Sequence, residues 1–259
     1  GVVVSMEAAA EIGKRYAARA RELAEDEEDA ARKAELRKMA EICDWVPANP
    51  ARTFREALQS YYFAWLMLLW ETWGSQGRVD QYLYPYYERD IREGRLTREE
   101  AQELVDCYII KLNEGSASNS IGVSGVKADG NDATNELSYI FIEGMTHTRL
   151  INFFAVHIHG KTPDELLLKA CELTSLGIGH PQFLNGEVFV AQALARRSMG
   201  GPTVTLEDAR SSANVGCLEL VMPGKDSGYL YTASHNLALA IELVMTNGVR
   251  RTAQEKTGL

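Results

Sequence analysis

The chain is poor in the residues that advertise a specialised scaffold. Its 259 residues contain four cysteines, Cys43, Cys107, Cys171 and Cys217, with no CxxC pair and no histidine at zinc spacing. That excludes a compact disulfide framework and argues against structural zinc. Basic charge is in deficit, 27 lysines and arginines against 36 aspartates and glutamates, for a net −9. A nucleic-acid surface would show a basic patch, and an anionic lipid surface would repel this balance. No apolar run reaches membrane-spanning length; the longest, Tyr61 to Trp70, reads as a core helix. The first residues lack the charged, apolar and cleavable order of a secretory signal. With scattered free thiols this predicts a reduced, cytoplasmic setting. No internal repeat and no low-complexity linker is visible. What remains is 46% hydrophobic and 24% charged, enough for a sizeable core in one or two domains.

Helical patterning dominates the first half. Residues 5 to 42 are rich in Ala, Glu, Arg and Lys without an internal proline, which predicts one long helix. The acidic run Glu25 to Asp29 reads as a solvated face or turn. Pro47 and Pro50 break the pattern. Thr53 with Glu56, and Thr97 with Glu100, have capping-box spacing and predict helices to about Trp73 and Asn113. Asp132 is placed to cap a helix to about Glu143. Thr162-Pro163-Asp164-Glu165 starts another that stops at Gly177. Ile151 to His159 and Pro181 to Asn185 read as strands. A short helix from Leu206 leads into a further strand, and Leu237 to Met245 reads as a helix closed by Asn247-Gly248. Strands separated by helices imply an α/β fold.

Three polar features have bland readings. Arg78 and Asp80, in a turn-rich aromatic segment from Gly74 to Pro85, read as an internally paired scaffold. Gly122 and Gly125 make no phosphate loop, since neither GxGxxG nor a following Lys-Ser/Thr is present. His157 and His159 share a face by strand alternation, but no third ligand has a convincing spacing, so no metal is expected.

Attention therefore falls on Asn214-Val215-Gly216-Cys217-Leu218-Glu219-Leu220, followed by Pro223-Gly224-Lys225. Val215, Leu218 and Leu220 suggest a buried strand ended by the Pro-Gly turn. In a continuous strand Cys217 and Glu219 would point the same way, roughly 6.6 Å apart along the axis. A cysteine in an apolar strand is commonly an inert core residue, whereas a nearby carboxylate needs a partner or a role. The spacing leaves both readings open.

The Gly216 to Glu219 stretch with Pro223-Gly224-Lys225 resembles the thiyl-radical cysteine loop of the glycyl radical enzymes, the pyruvate formate-lyase-like superfamily. Four further stretches are similar to that family in the same order: Pro50 to Gln59, Gly77 to Tyr87, Asp132 to Tyr139 and Leu206 to Arg210. The resemblance implies that residues 1–259 are a partial catalytic domain, part of a ten-stranded α/β barrel with the cysteine loop inside. It implies Cys217 as the thiyl position and Glu219 as general base or acid. It further implies a protein glycyl radical, no bound cofactor or metal, a radical S-adenosylmethionine activase as partner, an oxygen-sensitive anaerobic enzyme and a homodimer.

The departures narrow the expected chemistry. No Arg-Val-x-Gly-Tyr-like radical motif occurs in the 259 residues, so the chain reads as an internal piece of a longer protein and is expected to be inactive alone. The stretch from Asn113 to Ile121 is shorter than the family leads one to expect. Formate transfer would need two adjacent cysteines, and here Gly216 precedes Cys217. The succinate-adding members lack a Cys-x-Glu pattern. Diol dehydratases and choline- or isethionate-type lyases usually follow Cys-x-Glu with proline and later carry Trp-His-Asp; here Leu220 and Tyr229-Leu230-Tyr231 stand in those places. The resemblance then implies an apolar pocket, with Phe183, Asn185, Tyr231 and His235 as substrate-binding candidates. The leading expectation is a decarboxylase or other carbon–carbon lyase on a small, arylacetic-type carboxylic acid. The alternatives are a carbon–heteroatom lyase, acting as a dehydratase on a polyol, and a non-catalytic homologue.

Overall fold

A computed structural model describes residues 1–68, 75–114, 120–150, 153–195, 204–216, 219–225 and 236–248. They belong to two compact units, Gly1–Gly228 and Tyr229–Leu259.

The first unit opens with two helices where one was expected, α1 (Val2–Asp26) and α2 (Ala30–Trp45). The break falls in the acidic run: Glu27 is extended, and Asp29 caps α2 by accepting the Arg32 N–H. Five consecutive carboxylates repel along one helix, while an aspartate at a new N-terminus meets orphan N–H groups. The buried seam of α1 is Ala9, Gly13, Ala17, Ala20 and Ala24, small residues that let backbones approach. Then come α3 (Phe54–Leu68), β1 (Ser75–Arg78), α4 (Val79–Arg92) and α5 (Arg98–Leu112). Thr53 accepts the Glu56 N–H, but the Glu56 carboxylate takes the Arg52 N–H and guanidinium, so only half of that capping box forms. The box at Thr97 and Glu100 is complete.

The segment expected to be turns holds β1 and α4. Pro85 lies inside α4 and costs it the bond to the Gln81 carbonyl. Burial outweighs that loss, because Val79, Leu83 and Tyr87, four residues apart, all reach the core. The glycine-rich stretch likewise contains a strand, β2 (Ser120–Ser124), followed by α6 (Glu136–Thr148). Asn135, not Asp132, caps α6, with Ser138 completing the box. The remaining elements are β3 (Phe153–Ile158), α7 (Asp164–Ser175), β4 (Gln182–Asn185), α8 (Gly186–Ala195), α9 (Leu206–Arg210), β5 (Ala213–Val215) and β6 (Glu219–Val221).

Strands β1 to β4 form one parallel sheet in sequence order, and β5 and β6 form a separate antiparallel pair. Residues in register point to one side of a parallel sheet. One face carries Ile121, Val123, Phe154 and Val156, all fully buried in a cluster with Val105, Ile109, Leu137, Phe141 and Leu166 from the helices. Each such side chain contributes roughly 2 kcal/mol of burial. The opposite face carries Ala155 and Leu184, which join Phe189, Ala193, Ala209, Leu220 and Met222 in a second cluster. The sheet is thus covered on both faces, as parallel sheets generally are.

In the second unit, α10 (Leu237–Met245) is capped by Asn236, whose side chain accepts the Leu239 N–H, and is followed by Asn247 and Gly248 at positive φ. This matches the expected helix and stop. Among the described residues no helix is long and apolar enough to cross a membrane.

The tightest point of the α1–α2 seam is Gly13, where a Cβ would lie 2.6 Å from both the Cys43 and Val46 carbonyl oxygens. Gly13→Ala in the full-length protein is expected to destabilise it by about 1–3 kcal/mol, read by thermal denaturation. An unchanged melting temperature would show that the seam is looser than this.

Candidate active site

The stretch expected to be a single strand is a hairpin. Val215 of β5 pairs with Glu219 of β6, and Asn214 pairs with Leu220. Gly216, at φ 57°, ends β5; this left-handed conformation suits glycine and turns the chain out of the strand. Cys217 and Leu218 lie outside the described residues. Glu219 is exposed at the start of β6.

Asn214 fastens this hairpin to the sheet. Its Nδ2 donates to Ser120 Oγ at 2.5 Å, and its Oδ1 lies 3.0 Å from His157 Nε2. With Nδ2 committed as donor, Oδ1 accepts and His157 carries its hydrogen on Nε2. Ser75 Oγ donates to the Asn214 carbonyl at 2.8 Å. Asn214 is 1% exposed and His157 3%; the His157 ring also packs edge-on to Phe189, centroids 5.6 Å apart. Gly122, between Ser120 and Ser124 on the same face, leaves the room: a Cβ there would meet Asn214 Oδ1 at 2.7 Å and His157 Nε2 at 3.1 Å. The sequence signal that could have exposed Asn214 is a lone amide between Ala213 and Val215 in an otherwise buried strand.

Arg78 and Asp80 are buried, but they are not an ion pair; none joins them among the described residues. Arg78 donates to the carbonyls of Ser124 (3.2 Å), Val126 (2.8 Å) and Arg210 (3.3 Å). Asp80 Oδ2 accepts the Ser124 N–H at 2.6 Å and the Ser138 hydroxyl at 2.5 Å. Burial pushes the Asp80 carboxyl up to about 6, against the hydrogen bonds and the Arg78 charge that favour its ionised form. Burial pulls the His157 imidazole down to about 4, helped by the Arg78 charge and opposed by the Asn214 bond.

Two further predicted residues lie on β4. Phe183 is in register with Val156 and Asn185 with Ile158, on the face opposite to that of His157 and Leu184. The Asn185 oxygen accepts the N–H groups of Glu187 and Val188 and so caps α8. Tyr231 and His235 lie outside the described residues. His159 is held at both nitrogens: Nε2 is 2.9 Å from Asp132 Oδ1, and Nδ1 accepts the Lys161 N–H at 3.3 Å. Among the described residues no group of three or more His, Cys, Asp or Glu is arranged to hold a metal. An open groove of about 530 Å³, lined by Pro47, Pro50, Tyr61, Tyr82 and Tyr86 among others, includes none of the predicted site residues.

Comparison with known proteins adds what the geometry leaves open. The family model described as pyruvate formate lyase-like matches residues 1–259. Trans-4-hydroxy-L-proline dehydratase of Clostridioides difficile is 34% identical over 280 residues, covering 100% of this chain and 34% of the relative. (2S)-3-sulfopropanediol dehydratase of Klebsiella oxytoca is 35% identical over 277 residues, covering 99% and 33%. A solved structure concerned with 1,2-propanediol dehydration in Roseburia inulinivorans superposes with a TM-score of 0.78 at 41% identity, covering 85% of this chain and 29% of that one. The 4-hydroxyphenylacetate decarboxylase glycyl radical subunit of Clostridioides difficile is 34% identical over 226 residues, covering 79% and 24%. The chain therefore spans about a third of the length of the curated relatives it matches. The structural likeness bears out the expected α/β barrel architecture.

The two perturbed groups give opposite pH signatures. Asp80, raised from 3.8 to about 6, contributes stability below 3.8 that is lost as pH rises through 6. His157, lowered from 6.5 to about 4, withdraws stability as pH falls from 6.5 towards 4. Each effect is on the order of 3 kcal/mol, so between pH 7 and 4.5 they oppose one another. His157→Gln in the full-length protein is expected to gain stability relative to wild type on acidification over this range, and Asp80→Asn to lose it. Denaturant midpoints at pH 7 and 4.5 read both; equal slopes in the two variants would refute the assignment.

Proposed function

The chain belongs to the pyruvate formate lyase-like family, and we propose that it is the part of a glycyl radical lyase that carries the thiyl cysteine, Cys217, with Glu219 as general base. The observation that carries this reading is the hairpin itself. Its connecting residues include Cys217, Glu219 opens its second strand, and Asn214 pins it to the sheet.

The reaction proposed is carbon–heteroatom elimination, which reverses the order expected from sequence. Two relatives that match nearly all of this chain are named as dehydratases, whereas the decarboxylase matches 79% of it. The argument for an apolar pocket also loses a support, because Leu220 is buried in the cluster with Leu184, Phe189 and Ala209. Its apolarity is accounted for by packing. The second reading, decarboxylation of an arylacetic acid, keeps the support of the decarboxylase relative.

In the elimination, the Cys217 sulfur radical takes a hydrogen atom from the substrate carbon: an S–H bond forms and a C–H bond breaks homolytically. Glu219 accepts a proton from the hydroxyl, or in a cyclic amino acid the amine, on that carbon. The neighbouring carbon–heteroatom bond breaks with its electron pair on the leaving group, and the same proton departs with it. The product radical then takes hydrogen back from the Cys217 thiol. The family's glycyl radical, outside these 259 residues, would generate the thiyl radical; the reading includes a radical S-adenosylmethionine activase, a homodimer and an anaerobic cytoplasmic setting. Phe183, Asn185, Tyr231 and His235 remain proposed substrate contacts, Phe183 and Asn185 from β4 rather than from the face that holds the hairpin.

The test is electron paramagnetic resonance on the activated full-length protein and its Cys217→Ser variant, with trans-4-hydroxy-L-proline, propane-1,2-diol, isethionate and 4-hydroxyphenylacetate as substrates. A glycyl doublet in both proteins, with elimination only by the cysteine-containing one and no carbon dioxide released, is expected. Carbon dioxide from the arylacetate would favour the second reading. No doublet under conditions that activate a control enzyme would identify a non-catalytic homologue.

A further inference from the structure

We infer that Asn214 is a positioning residue for Cys217, holding the cysteine hairpin at a fixed height and register over the sheet through His157 and Ser120. The inference rests on the proposed radical relay.

The hairpin meets the sheet through a surface that could have been wholly apolar. Leu220, the cross-strand partner of Asn214, is packed among Leu184, Phe189 and Met222. An apolar residue at 214 would bury well and tolerate small slides. An amide does neither. Its two ends are committed to side chains on different strands, Ser120 on β2 and His157 on β3, while Ser75 on β1 holds its backbone carbonyl. Displacing the hairpin along the sheet leaves buried donors and acceptors without partners, the costly outcome for such groups. A buried polar contact of this kind selects one register at the expense of raw stability. The sheet is shaped for it, since Gly122 leaves clear the space that a Cβ would occupy 2.7 Å from Asn214 Oδ1.

Cys217 follows Asn214 by three residues, with only Gly216 and Val215 between. Hydrogen-atom transfer to and from sulfur requires near-contact geometry, and a displacement of about 1 Å is worth roughly 100-fold in rate. Asn214 touches neither substrate nor sulfur in this account. It acts by limiting where the hairpin can be.

A readout independent of substrate isolates this role. In deuterium oxide the Cys217 thiol becomes S–D, and reversible transfer between it and the glycyl radical replaces the glycyl α-hydrogen with deuterium. The hydrogen-split doublet then collapses. Activated full-length protein is transferred to deuterium oxide and the collapse followed by electron paramagnetic resonance. Asn214→Ala and His157→Ala are expected to reach wild-type radical content, but to collapse about 100-fold more slowly. His157→Gln, which retains an N–H for Asn214 Oδ1, is expected within about threefold of wild type. Ser120→Ala, a smaller change that guards against misfolding of the others, is expected to slow collapse as well. If Asn214→Ala and Ser120→Ala collapse at the wild-type rate while Cys217→Ser holds its doublet, the positioning role is overturned and the relay stands. If Cys217→Ser collapses normally, or wild type never does, the relay itself fails.

Discussion

A buried carboxylate without an ion-pair partner among the described residues sets the end of the central strand. Asp80, in the first turn of α4, accepts the Ser124 N–H and the Ser138 hydroxyl. Ser124 is at φ 64°, a conformation that costs a non-glycine residue about 1–2 kcal/mol. Asp80 from one side and Arg78 on the Ser124 carbonyl from the other hold it there. Replacing such groups with apolar side chains is often neutral or stabilising elsewhere. Here they determine where β2 stops and how the chain leaves it. Because Arg78 also holds the Arg210 carbonyl at the end of α9, the same pair governs the approach to the cysteine hairpin.

The two faces of the sheet have separate tasks. The helix-packed face is fully apolar at Ile121, Val123, Phe154 and Val156 and supplies stability. The other face alternates small and polar residues, Ser120, Gly122 and Ser124 on β2 with Ala155 and His157 on β3, and supplies location. In a period-2 element this division needs no extra machinery. One strand can be core on one side and receptor for the hairpin on the other.

What was legible in the sequence was what local chemistry decides. Thr97 with Glu100 announced α5, Asn247-Gly248 closed α10, and the apolar run at 153–158 announced β3. What was not legible depended on distant partners. Pro85 and Gly77 outweighed Val79, Leu83 and Tyr87 on paper, because a proline's cost is local and the core that repays it is not. Gly122 hid β2, since its reason for being glycine sits at residue 214. Thr53 caps α3 as its spacing foretold, but Glu56 found Arg52 instead of closing the box, and Asp132 found His159. At the hairpin the apolar pattern was read correctly, yet a single left-handed glycine folded the strand in two. The family was legible from short ordered matches; the role of Leu220 was not, because a leucine read as lining a pocket is packed in the core.

The glycines of the 122–130 stretch carry a further consequence. A Cβ at Gly122 would strike Asn214, one at Gly125 would come within 2.9 Å of the Arg78 guanidinium, and one at Gly130 would lie 3.0 Å from that of Arg210. Each missing side chain is the imprint of a large polar one far away in the chain. At Gly125 and Gly130 the backbone, at φ 99° and 92°, also demands glycine; at Gly122 space alone is the limit, and a descendant that fills it must shrink or move Asn214. Across the lineage positions 122 and 214 should therefore change together, so that the evolutionary record of β2 is written partly in a residue that lies nowhere near it in sequence.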